Sequence, residues 1–292
     1  MAMKPFNAVA FAALLAGGVA IGFAGIFMRL SDVNPIASAF WRMLLAAPVL
    51  WGWALMAARG DRAVGLRTDL STILVLAGLF FGIELGIWHL SLHYTTVANA
   101  TLLSNMAPLF IALWLWLAHG TRFSRGFLGG MALALIGAVI LIGPSAAGGG
   151  THLLGDGLGL LSTTFYAAYQ LVIKDARDSY STARLMAWST TITAIVLFPF
   201  ALWMPGAFWP ADAAAWLPLL GLALIAQIGG QTVIAYAFAH LPASLASVSL
   251  LIQPLTAAIA ALAIFGERIG PWQLGGGALL LCGIYFSKRG FK

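Results

Sequence analysis

Charge is what this chain has least of. Only 9 acidic and 15 basic residues occur among 292, or 8%, where soluble domains run near a quarter. A chain so poor in charge has too little polar surface to cover a water-exposed globule. The single cysteine, Cys282, excludes an intrachain disulfide framework. No stretch gathers a catalytic cluster of carboxylates, a Ser-His-Asp set or an activated cysteine, so an intramembrane enzyme has nothing to work with. Rings of like charge and a repeated carbonyl filter, the marks of an ion channel, are missing too.

What is present is apolar and continuous. The chain is 61% hydrophobic with a mean hydropathy of +0.95, so apolar residues run along its whole length. A membrane-spanning helix needs about 20 of them. Candidate spans lie at 7–28, 35–57, 70–92, 96–118, 125–143, 156–174, 181–204, 213–238, 243–265 and 272–287. Lipid offers the backbone no hydrogen bonds, so these runs read as helices and not strands. The first follows Lys4 and is too long for the apolar core of a signal peptide, which makes it a retained helix. A Gly-rich stretch from Ala146 to Gly150 reads as a linker. Gly155-Asp-Gly-Leu-Gly159 reads as a loop into the sixth span, since no strand precedes it as a nucleotide loop would require.

Charge placement tests the count. With the N-terminus inside and the chain alternating sides, every lysine and arginine except Arg29, Arg42 and Arg268 falls on the cytoplasmic side. That is a strong positive-inside bias, and it places both termini in the cytoplasm. The net charge of +6 therefore serves topology and anionic headgroups, not nucleic acid.

The two halves repeat. A shift of 146 positions carries Pro108-Leu109 onto Pro254-Leu255, Gly120 onto Gly266, Gly129-Gly130 onto Gly275-Gly276 and Gly137 onto Gly283. Residues 1–145 form one unit of five spans and residues 151–292 the other. Five is odd, so the halves insert with opposite orientation. Such inverted repeats belong to secondary transporters, with the site between the halves near the midplane.

With these residues in view, the chain resembles the drug/metabolite transporter superfamily. Ten helices in two repeats, a proline midway along the fourth and ninth spans and the Gly-Glu-Arg turn at Gly266–Arg268 carry the likeness. Each half is similar to an EamA domain, although the first has Gly-Thr-Arg at 120–122 where an acid often follows the glycine. The stretch Glu84 to Tyr94 resembles the third helix of the YddG-type aromatic amino acid exporters. The resemblance implies an inner-membrane exporter of small metabolites, with amino acids bearing aromatic or apolar side chains as cargo. A proton-coupled drug or metabolite exporter of the same fold is the alternative. No cofactor or metal is expected, and the reading is of a monomer.

Polar groups at membrane depth are costly and mark function. Glu84 is the carboxylate deepest in a span. Gly78, Gly82 and Gly86 form a stripe on its helix that lets another backbone approach. Glu84 points roughly 200° away from Gly82. The helix is thus expected to pack on one face and to present Phe80, Phe81, Glu84, Trp88 and Ser91 to a cavity. The sixth span puts Ser162, Tyr166, Tyr169, Gln170 and Ile173 on one face, and the eighth puts Gln227, Gln231, Ile234 and Phe238 on one. The substrate-binding candidates are Phe80, Phe81, Glu84, Trp88, Tyr166, Tyr169, Gln170, Gln227 and Gln231. With so few fixed charges, a zwitterionic substrate is expected to be held by dipoles, while Glu84 is expected either to couple export to proton entry or to hold a substrate ammonium. Arg42 is expected to snorkel to the outer interface, the alternative being that it partners a substrate carboxylate or Glu84. Pro108 and Pro254 each remove a helical hydrogen bond, freeing the carbonyls of Ser104 and Leu250, and are expected to act as paired hinges. His89 and His93 have a metal-like spacing, but no third ligand accompanies them.

The topology makes a direct prediction. A cysteine placed at Asp212 reacts with an impermeant thiol reagent from outside intact cells, and one at Arg122 does not. The reverse pattern would sink the ten-span arrangement.

Overall fold

The computed structural model describes residues 7–60, 70–94, 103–146, 153–266 and 270–290. Among the described residues every regular element is helical. We label the ten apolar helices α1 (Ala8–Leu30), α2 (Pro35–Gly60), α3 (Thr72–Tyr94), α4 (Ala107–His119), α5 (Arg125–Ala146), α6 (Leu153–Ala176), α7 (Thr182–Trp203), α8 (Trp216–Phe238), α9 (Ala243–Phe265) and α10 (Pro271–Gly290). Six of them are long and apolar enough to cross a membrane: α1, α2, α3, α7, α8 and α9. Lipid-facing surfaces carry large apolar side chains in the open, such as Trp203, Leu117 and Trp272. In water such a surface would aggregate. The start of the expected fourth span, the Gly-rich linker from 147 on and Glu267–Arg268 lie outside the described residues.

Local chemistry sets the helix ends. Asn7, Asn34, Ser124 and Ser181 accept backbone N–H groups at the starts of α1, α2, α5 and α7, satisfying donors that lipid cannot. Gly120 and Gly266 end α4 and α9 in the same left-handed conformation, at φ 61° and 67°, where a side chain would be strained. Residues 155–159 are helical and not a loop. Asp156 in the first turn of α6 meets the positive end of the helix dipole there, which a reading of its glycines alone undervalues.

The halves are related by a pseudo-two-fold axis, visible at atomic contacts. A Cβ on Gly130 would strike Ser287, and one on Gly276 would strike Leu141. Shifted by 146 positions, the first contact becomes the second. Likewise Gly137 meets Leu280, and Gly283 meets Ala134, again mates under the shift. The numbers rise along α5 as they fall along α10, so the two helices run antiparallel and the repeats are inverted. The interface is isologous, the internal counterpart of a two-fold dimer contact. Helix pairing obeys the same symmetry: α3 packs on α6 as α8 packs on α1, while α2 on α7 and α5 on α10 are their own mates. The glycine stripe of α3 serves this packing. Gly78 fits under Ile192 and Gly82 under Val196, both on α7.

The two ends differ. At one, the basic end, Arg122, Lys174 and Gly290 come together. At the other, the loop 204–215 folds over the start of α2. Asn34 donates from its side chain to the carbonyls of Ala201 and Ala207, and Trp41 Nε1 donates to Phe208 at 2.8 Å. The Trp41 ring packs against Phe208, Trp209 and Trp216, with ring centroids 5.5, 4.9 and 4.9 Å away.

The glycine seam is testable. Gly137→Val or Gly283→Val overpacks a closed contact and should cost about 1–3 kcal/mol, read as a lower melting temperature in detergent. Gly129→Ala and Gly275→Ala, whose added Cβ meets nothing within 4 Å, should leave it unchanged or raise it. Equal behaviour of both pairs would refute the seam.

Candidate substrate site

The side chains that matter converge between the halves, from α2 and α3 on one side and α6, α8 and α9 on the other. They form a buried polar cluster walled by aromatic rings. Glu84, Gln170, Gln227 and Gln231 are all buried, as are Phe81 and Tyr169. Phe81 and Tyr169 stack with ring centroids 4.5 Å apart and planes at 15°. Tyr166 continues the stack at 6.4 Å from Tyr169. Gln231 Nε2 donates to the Tyr169 hydroxyl at 3.0 Å. The Tyr166 hydroxyl lies near the side-chain amides of Gln253 and Gln170.

The reading of Arg42 needs correction. It does not snorkel; it is 7% exposed. The start of α2 is enclosed on every side, with Ile36 to Met43 buried without a break, so no path to the interface exists. Its guanidinium turns inward instead. Nε donates to Gln227 Oε1 at 3.1 Å, and the group lies 5.8 Å from the Phe81 ring centroid. It also interacts electrostatically with Glu84. A fixed cation therefore stands in the cluster, and the expectation of a site holding its ligand by dipoles alone falls with the snorkelling one. One signal in the sequence does point inward. Asn34, Ser38 and Arg42 are four residues apart, a polar stripe descending one face of α2.

Gln227 is held from both ends. Its Oε1 accepts from Arg42 and its Nε2 donates to Thr190 Oγ1 at 3.0 Å. Three helices, α2, α7 and α8, thus meet at one amide. The backbone under it is unusual: Leu222–Gln231 is a π-helix, a form concentrated at functional sites. The paired Gly229-Gly230 weakens the α-helix there. Gly230 also admits α1, since a Cβ on it would strike Ile21. Nothing in the apolar periodicity announced this.

Four polar atoms on α3 and α6 have no hydrogen-bond partner among the described residues: Glu84 Oε2, Trp88 Nε1, Gln170 Oε1 and Ser162 Oγ. Buried orphans are rare and need a reason, such as a ligand or water that belongs there. Trp88 is half-buried one turn beyond Glu84 and stands edge-on to His89. The half-buried Phe80 packs against the same core, with its ring 6.2 Å from Phe165. His89 Nδ1 is spent on the Leu85 carbonyl at 2.6 Å. The side chain of His93 lies outside the described residues.

The prolines are placed differently from the expectation. Neither kinks a continuous helix. The helix breaks just before each, at Asn105-Met106 and at Leu250-Leu251, and Pro108 and Pro254 sit in the first turn of the restarted helix. That is where a missing N–H costs least. The Leu250 carbonyl is not left free but accepts from Gln253 N at 3.0 Å. At the matching break, Thr163 Oγ1 donates to Leu103 O at 2.7 Å.

At the basic end a cavity of about 420 Å³ opens between α4, α5, α6, α9 and α10. Its wall holds His119, Arg122, Lys174 and Asp175 together with Trp114 and Phe123.

The profile of the EamA-like transporter family matches residues 8–143 and 153–288. The chain belongs to that family. Each match spans one of the two symmetry-related halves of this EamA protein. An uncharacterized transporter of Archaeoglobus fulgidus is 28% identical over 91% of both chains. The pseudopaline exporter CntI of Pseudomonas aeruginosa is 23% identical over 61% of each. A probable terminal-alkyne amino-acid exporter of Streptantibioticus cattleyicolor is 25% identical over 67% of this chain and 65% of its own. A solved crystal structure superposes with a TM-score of 0.80 across 96% of this chain and 97% of its own, at 16% identity. That likeness is one of fold. The protein is accordingly a multi-pass membrane transporter.

The Gln227 bridge makes a prediction. Gln227→Leu orphans a buried guanidinium and the Thr190 hydroxyl, which should cost about 1–3 kcal/mol, seen as a fall in melting temperature in detergent. A variant as stable as the parent would show the bridge to be idle.

Proposed function

We propose that this EamA protein exports small amphipathic metabolites, foremost amino acids with aromatic or apolar side chains, by alternating access. The observation that carries the reading is the closed polar cluster between the halves, with its orphaned acceptors beside the Phe81–Tyr169–Tyr166 stack. Orphaned groups supply hydrogen bonds to a polar head, and the rings supply an apolar wall. The relatives from Streptantibioticus and Pseudomonas, a probable terminal-alkyne amino-acid exporter and a pseudopaline exporter, support small-molecule export. The units 1–145 and 151–292 act as the two moving bodies. The helix breaks beside Pro108 and Pro254 act as hinges, because a helix already interrupted bends without losing further hydrogen bonds. We place both termini on the cytoplasmic side of a bacterial inner membrane, on the positive-inside bias. The basic cavity is then the cytoplasmic entrance.

A second reading is favoured by one observation, the buried Glu84 with its orphaned Oε2: proton-coupled export of drugs or other metabolites.

Flux into proteoliposomes decides between them. With labelled amino acids, uptake should rank phenylalanine and leucine-like cargo above sugars and multivalent anions, and the double variant Pro108→Ala/Pro254→Ala should slow it. Transport confined to sugars or anions would overturn the reading. Under the second reading Glu84→Gln abolishes uphill transport and its pH dependence but spares downhill exchange.

A further inference from the structure

The closed cluster contains one buried cation and one buried carboxyl, and neither is exhausted by the protein. Among the described residues the Arg42 guanidinium makes a single hydrogen bond, from Nε to Gln227, although it carries five N–H donors. Glu84 Oε2 has no partner. The two charges interact without the interlocking hydrogen bonds that make a buried ion pair worth its desolvation. Apolar residues of similar volume would serve stability as well or better. Repeat symmetry says the same. The positions equivalent to Arg42 and Glu84 in the other half are Trp188 and Gly230, so neither charge belongs to the scaffold.

We propose that Arg42 and Glu84 are the two poles of an α-amino-acid site, Arg42 receiving the substrate carboxylate and Glu84 its ammonium. This rests on the export reading and specifies the part of the cargo that the protein recognises. The guanidinium is a planar fork matched to a carboxylate, and only its Nε edge is engaged. Gln227, itself anchored by Thr190, fixes the rotation of that fork. On the other side, Glu84 Oε2 and the orphaned Gln170 Oε1 are acceptors, as an ammonium requires. A zwitterion set between them replaces one charge–charge attraction by two and brings no net charge into a low-dielectric interior. A cationic drug meets Arg42 as a repulsion, and a simple carboxylate meets Glu84 as one, so the pair selects against both. The rings of Phe81, Tyr169 and Tyr166 flank the poles and receive the side chain.

The test compares three ligands as competitors of labelled phenylalanine exchange in proteoliposomes: phenylalanine, phenethylamine with the ammonium alone, and 3-phenylpropanoate with the carboxylate alone. The parent protein should favour phenylalanine over both by about tenfold or more. Arg42→Gln should reduce phenylalanine to the level of phenethylamine while leaving phenethylamine no weaker. Glu84→Gln should reduce it to the level of 3-phenylpropanoate. Each single variant leaves one buried charge alone, so the neutral double variant Arg42→Gln/Glu84→Gln is the control for folding. It should melt near the parent and rank the three ligands equally. Arg42→Lys keeps the charge but loses the fork, and should retain the ranking with weaker binding. Equal losses for all three ligands in each single variant, or an unchanged ranking in the double, would overturn the assignment while leaving amino-acid export intact. A parent protein that binds no amino acid would overturn both.

Discussion

A guanidinium two turns into α2 cannot be left to lipid, and the centre of the molecule is arranged around that demand. Gln227 answers it, and in doing so ties α2 to α8 and, through Thr190, to α7. The aromatic stack, the π-helix and the buried Glu84 all lie within reach of this junction. The start of α2 has to be enclosed for the arrangement to work, and the aromatic cluster of Trp41, Phe208, Trp209 and Trp216 supplies the enclosure. Removing the charge would relax each of these requirements at once.

Scaffold and site follow different rules. Glycine contacts, helix pairings and left-handed caps recur under the 146-residue shift. The polar cluster does not. Gln227 and Gln231 stand opposite Phe81 and Leu85, Tyr169 opposite Phe23, and Glu84 opposite Gly230. A symmetric frame gives two equivalent ways to rock, which alternating access needs. An asymmetric centre gives a ligand one orientation. The duplication thus supplies the motion, and departures from it supply the chemistry.

Much of this was legible before any coordinates. Long apolar runs and the distribution of basic residues specify the number and order of helices, because lipid makes composition nearly decisive. The glycine pattern on α3 anticipates its packing on α7, since a missing side chain can be read from one letter. Phe81, Glu84, Tyr166, Tyr169, Gln170, Gln227 and Gln231 are brought together as helical spacing suggests. What escaped reading depends on neighbours. Whether Arg42 points to water or inward is decided by what surrounds α2, and those residues lie on α7 and α8. The π-helix depends on a small balance of backbone energies that hydrophobic period does not record, and the break before Pro254 is a matter of which carbonyl finds a donor.

The glycine seam has a consequence for synthesis. α5 is made more than a hundred residues before its partner α10. Until then the close-packing face of α5 has only lipid or other helices against it, and small residues tolerate that interval because they expose little that needs a partner. The seam also joins segments far apart in the chain, as Gly130 and Ser287 are, so closing it carries a loop-closure cost. The inverted architecture is therefore completed only by its final helix. A ribosome that stops before Pro271 leaves an open face along α5.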